Sequence, residues 1–136
     1  MDLADNIETI EAGYEFLLAY AAQGRPAGAE TGPGPHARPT LQGMAEALAA
    51  INTALAGSED AFEQVIADDC RKAGAALGFI LAQEKIGSEI VDNLNASIHL
   101  RAVLTDLFLY SEALEPTTEE DTKSMSYDAT QSQGGS

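Results

Sequence analysis

VDNLNASIHLRAVLTDLFLY, Val91 to Tyr110, is the stretch whose reading decides the fold. It is strongly apolar at helical spacing, yet Asn95, His99, Arg101 and Asp106 interrupt it. Placed at about 100° per residue, Ile90, Val91, Leu94, Ile98, Ala102, Phe108 and Leu109 fall on one face. Leu100, Val103, Leu104, Leu107 and Tyr110 cover the opposite side, so the C-terminal half of this helix is apolar nearly all round. Such a helix needs cover on every side. In a small bundle that means a central position or a second interface, most simply that of a two-fold homodimer. Phe16 and Tyr20, which lie off the main stripe of the first helix, extend the same expected protein interface. His99 joins it from the polar stripe Asp92, Asn95, His99 and Asp106, which is expected to face solvent or a partner.

Arg101 falls within the first apolar face, where an unpaired guanidinium is costly. If the preceding helix folds back as a hairpin turning near Gly87, Arg101 stands opposite Ala73 and within about a turn of Asp69. The spacing predicts a structural ion pair between Asp69 and Arg101.

Reading outward, Gly and Pro punctuate a helical pattern. Leu3, Ile7, Ile10, Tyr14, Leu17 and Ala21 form one stripe at alternating spacings of four and three, predicting a helix from about Asp2 to Gln23. The segment GRPAGAETGPGPHARP holds four Pro and four Gly and predicts a long loop. Leu41, Met44, Leu48, Ile51 and Leu55 predict a second helix from about Thr40 to Leu55. GSED supplies a break, with Ser58 as the expected N-cap and acids suited to the first turn of the next helix. That third helix runs to about Lys85 with Phe62, Ile66, Cys70, Ala73, Leu77 and Ile80 inward, and its Gly74 and Gly78 suggest close approach by a neighbour. A fourth helix is expected from Ser88 to about Leu114. The fold class is therefore all-α: an antiparallel four-helix bundle domain over 1–114 with one long loop between helices 1 and 2, followed by a disordered acidic, Ser/Thr-rich tail over 115–136. In that tail only Met125 and Tyr127 offer anchors for a partner.

The 136-residue chain has 22 acidic and seven basic side chains, a formal net charge of −15. Scarce, scattered Lys and Arg argue against direct binding of nucleic acid or an anionic membrane surface. One cysteine, Cys70, permits no internal disulfide and no Cys-rich zinc site. The N-terminus is acidic where a signal peptide is basic, and no apolar run approaches the ~20 residues of a membrane span. The expected location is cytoplasmic.

Chemistry-bearing motifs are missing. There is no Walker loop, dinucleotide fingerprint or nucleophile elbow. Asp92, His99 and Asp106 lie two turns, about 10 Å, apart and cannot share one ion. Neither histidine follows a Glu at the spacing of a di-iron bundle. Cys70 lies on an inward stripe, where it acts as a small hydrophobe. No catalytic residue, metal or cofactor is assigned.

These observations point to a small, acidic, non-catalytic protein-interaction module, an assembly factor, chaperone, adaptor or regulator whose partner carries a basic surface. Two other readings remain open: a bundle that holds an apolar small molecule or cofactor between helices 3 and 4, and an acidic mimic of nucleic acid that blocks a nucleic-acid-binding protein.

Overall fold

The computed structural model describes residues 2–24, 26 and 36–114, and within these it is all-helical: α1 (Leu3–Ala22), α2 (Ala37–Leu55), α3 (Ala61–Leu81), α4 (Ser88–Ala96) and α5 (Ile98–Leu114). No strand occurs among the described residues. Most of the long loop after Gly24, and the whole tail 115–136 with Met125 and Tyr127, lie outside them. The chain divides into two compact units, Met1–Thr105 and Asp106–Ser136. The described part of the second is the C-terminal half of α5.

Local chemistry explains where the helices begin and end. Asp2 caps α1 by accepting from the Asp5 N–H at 2.9 Å while Asp5 returns a bond to the Asp2 N–H, a capping box. That bond from the Asp5 backbone holds the Asp2 carboxyl below its ordinary range. Gly24, past the end of α1, has φ +67°, a left-handed conformation that glycine adopts without steric cost. α2 starts three residues earlier than the sequence suggests, because Pro39 sits in its first turn, where a missing N–H loses nothing. In α3 the cap is Asp60, accepting from Glu63 N–H at 2.9 Å, and not Ser58. The Ser58 hydroxyl instead accepts from Asp60 N–H and donates to the Glu63 carboxylate at 2.6 Å.

The predicted fourth helix is two helices. Ser97 leaves helical geometry at φ −66° and ψ 144°, ending α4 and starting α5. Its hydroxyl accepts from the Leu100 N–H at 3.3 Å, the N-cap bond of α5.

Within the first unit, Ile10, Leu17, Leu41, Met44, Leu48, Ile51, Ile66, Leu77 and Val91 are fully enclosed. α1 packs against α2 and α4, and α2 packs against α3, whereas α4 touches α3 only marginally. The chain thus crosses from α3 to α1 before beginning α4, and the expected hairpin between consecutive helices does not form. Side chains bonded to backbone carbonyls fix these joints. The Tyr20 hydroxyl donates to Ile86 O at 3.1 Å, and the Ser88 hydroxyl donates back to Tyr20 O at 2.7 Å. Tyr20 O is among the last carbonyls of α1, which lack a full set of intrahelical partners. About two turns further along α4, Asn95 Nδ2 donates to Leu17 O at 3.1 Å. Between α2 and α3, Asn52 Nδ2 donates to Ala67 O at 2.8 Å. Arg38 gathers the end of α3, bonding Leu81 O and Gln83 O at 2.8 Å and Glu84 O at 3.3 Å, where a cation also complements the helix dipole.

The close approach of helices is at Gly13, not at Gly74 and Gly78. A Cβ on Gly13 would stand 2.5 Å from both Cγ and Sδ of the enclosed Met44, whereas nothing lies within 4 Å of one on Gly74 or Gly78. Two opposite outcomes are expected in urea denaturation. Gly13→Ala loses about 1 kcal/mol net, since overpacking at about 1–3 kcal/mol exceeds the helix-propensity gain of about 1 kcal/mol. Gly74→Ala and Gly78→Ala each gain up to about 1 kcal/mol. Tyr20→Phe, which strips the buried Ile86 carbonyl of its donor, is expected to cost about 1–3 kcal/mol.

Candidate interaction surface

The break at Ser97 reverses the faces of α5. Leu100, Val103 and Leu107, expected at a protein interface, are completely buried, as is Tyr20, whose hydroxyl is committed to Ile86. Leu104, Tyr110 and Phe16 are half-buried, with the Phe16 ring 6.1 Å from that of Tyr20. His99 is exposed. Four of the eight side chains assigned to the interface therefore belong to the interior, and the reason is angular. The buried residues of α4, Ser88, Val91, Leu94 and Asn95, and those of α5, Leu100, Val103, Asp106 and Leu107, have mean directions about 120° apart when counted as one continuous helix. A single extended residue at Ser97 resets the phase that an unbroken helix would carry through.

The residues that would continue the α4 stripe are left outside. Ile98 is 75% exposed, Phe108 59% and Leu109 52%, on a face that also holds the exposed Arg101 and Thr105. An exposed guanidinium needs no buried counter-charge, and Asp69 and Arg101 form no ion pair. Their predicted pairing assumed a hairpin of adjacent helices, and α4 instead lies on α1. The polar stripe also divides: Asp92 and His99 are exposed, while Asn95 and Asp106 are buried.

A second exposed apolar pair lies on α3, where Val65 and the 67% exposed Phe79 flank a small charge cluster. Asp68 there meets Arg71 at 2.9 Å and Lys72 at 3.3 Å. The hydrogen bond from Arg71, then that from Lys72, holds the Asp68 carboxyl below its ordinary range. These pairs are solvent-exposed, so they shape the local charge more than the stability.

An open groove of about 760 Å³ runs between the end of α1 and the start of α4, lined by Gly24, Pro26, Lys85, Glu89, Asp92 and Asn93. Its carboxylates and lysine give it a polar rim, and it lies away from the α3–α4 position suggested for an apolar ligand. Cys70 is buried on the inward face of α3. Among the described residues no three His, Cys, Asp or Glu side chains gather as a metal site, and no helix is long and apolar enough to cross a membrane.

No protein-family profile matches the chain, and no curated protein or solved structure matches it either. The exposed apolar positions of α5 carry no sequence signature of their own. They follow from Ser97 acting as an N-cap, and a serine in that place, a preferred cap residue, is the one cue to it in the sequence.

The exchange of faces has a direct test by substitution. Leu100→Ala and Leu107→Ala are expected to lower stability by about 2–5 kcal/mol, while Ile98→Ser and Phe108→Ser stay within about 0.5 kcal/mol of the parent in chemical denaturation. Equal costs on the two faces would contradict the observed orientation of α5.

Proposed function

We propose that this chain is a small, acidic, non-catalytic protein-binding module, an assembly factor, chaperone or regulator acting in the cytoplasm. The observation that carries this reading is the exposure of Ile98, Phe108 and Leu109 on one helix of a chain with a formal charge of −15. Phe108 and Leu109 are adjacent in sequence, Ile98 lies about three turns before them, and large apolar side chains exposed along one helix are a recurrent mark of protein contact. The surrounding negative field favours a partner with a basic rim around an apolar seat, since long-range attraction speeds encounter while the apolar centre holds the complex.

The scaffold of the proposal is an antiparallel arrangement of α2 with α3 and of α1 with α4. Its support is the polar ties: Arg38 at the start of α2 reaches the end of α3, while Asn52 near the end of α2 reaches Ala67 early in α3. Tyr20 at the end of α1 meets Ile86 and Ser88 at the start of α4, and Leu17 meets Asn95 further on.

Affinity capture with the full chain as bait, run in parallel with a Phe108→Ser/Leu109→Ser chain, tests the proposal. A stoichiometric partner is expected on the parent after high-salt washing, with at least a tenfold reduction on the double variant (about 1.4 kcal/mol). Equal recovery on both baits would remove α5 from the interface. A partner shed by salt alone and displaced by DNA would instead favour an acidic mimic of nucleic acid.

A further inference from the structure

The junction between α4 and α5 is one residue long, and nothing in the covalent chain compels it. Between Leu94 and Leu100 there is neither Gly nor Pro, and Ala96 is the strongest of helix formers. Ser97 holds the break by serving both helices. Its N–H donates to Leu94 O at 3.0 Å, its carbonyl accepts from Arg101 N–H at 3.2 Å, and its hydroxyl accepts from Leu100 N–H at 3.3 Å. Two apolar faces depend on this residue. With the break, Leu100 and Val103 are enclosed within the first unit. Without it, the buried stripe of α4, Val91 and Leu94, would run on through Ile98, Ala102 and Leu109 in one helix from 88 to 114, about 40 Å long. Ile98 and Leu109 are outside in the broken form, although they are in phase with the enclosed face of α4.

We propose that Ser97 is a hinge through which α5 exchanges with that of a second copy of this chain. In a straight helix, Leu100 and Val103 leave their own body, and a surface already shaped to receive them exists in an identical molecule whose α5 has also left. A hinge of one residue cannot turn the straightened helix back onto its own body, so the exchange is reciprocal and closes as a two-fold dimer. Where the two straight helices cross, the Ile98, Ala102 and Leu109 stripes would provide the new contact. The second copy is favoured over an unrelated partner because the phase match lies within the chain itself: Leu100 and Val103 are enclosed in the first unit, and Ile98 and Leu109 extend the stripe of α4. This inference does not rest on the partner-binding reading.

The test uses the purified full chain alone, in reductant, by sedimentation or light scattering from about 1 to 200 µM, where mass action draws a weak dimer into view. Ser97→Ala removes the cap and favours the continuous helix, and is expected to tighten dimerisation at least about tenfold, with a rise in helical circular dichroism. Added salt is expected to favour the dimer by screening two strongly negative chains, the reverse of its effect on capture of a basic partner. Ile98→Pro locks the break: proline suits the first position of a helix, and it favours the extended geometry that Ser97 already has. In the Ser97→Ala background, Ile98→Pro is expected to abolish the dimer while retaining a cooperative melt, and Ile98→Ala, which only shortens the exposed side chain, is expected to keep it. A Ser97→Ala chain that melts cooperatively yet stays monomeric throughout would overturn the proposal. Should Ser97→Ala not melt cooperatively, the parent decides: it is expected to form a dimer at the top of the range that Ile98→Pro loses. A parent that stays monomeric there, or a dimer insensitive to Ile98→Pro in either background, would overturn the proposal. So would a dimer equally abolished by Ile98→Ala, because that outcome is side-by-side contact without straightening.

Discussion

Tyr20 and the segment Ile86–Ser88 hold each other by two buried hydrogen bonds, one in each direction, and the placement of α4 follows from this exchange. The hydroxyl of Tyr20 satisfies a carbonyl in the α3–α4 connection, and the hydroxyl of Ser88 satisfies a carbonyl that the end of α1 leaves without a full set of partners. Withdrawing the Tyr20 hydroxyl takes the donor from the buried Ile86 carbonyl, while Tyr20 O, without Ser88, keeps the Gln23 N–H at 3.2 Å. The pair brings α4 onto α1, away from its neighbour in sequence, and Asn95 repeats the tie further along the same joint. Once α4 is on α1, no hairpin places Asp69 beside Arg101, and the guanidinium is free to lie in solvent.

The remaining joints use the same device. Arg38 and Asn52 each spend a side chain on backbone carbonyls of α3, so α2 is tied to α3 near both of its ends. The apolar side chains between these ties supply the driving force, and the polar ties select among the ways in which apolar stripes could pair. Gly13 adds a steric condition, since Met44 occupies the space where any larger residue at that position would put its Cβ. The glycines of α3 meet no such condition and look outward.

An acidic chain that leaves Ile98, Phe108 and Leu109 in solvent combines two properties that oppose each other in isolation. Negative charge keeps identical molecules apart, while exposed apolar surface draws them together. A basic partner, as proposed, would resolve the conflict by satisfying both properties. Screening by salt resolves it in the other direction, in favour of a second copy. Ser97 stands between the two outcomes because it determines which side of α5 is available.

The periodicity of Leu3 to Ala21 was sufficient to place α1 to within a residue at each end, because an amphipathic stripe bounded by an Asp cap and a glycine at positive φ leaves little choice. The all-helical class, the inward positions of α2 and α3, and the burial of Cys70 were legible for the same reason: a 3.6-residue period survives in one dimension. The break at Ser97 is not legible in the sequence, since a serine within a helical pattern is compatible with both a helix interior and a cap, and the choice turns on whether burying Leu100 and Val103 offsets the backbone bonds lost. Only the tertiary structure decided that, and with it the faces of α5. It also decided that α4 lies on α1, because the hydroxyls of Tyr20 and Ser88 and the amide of Asn95 find their carbonyl partners 66 to 78 residues away, at separations where spacing along the chain carries no information.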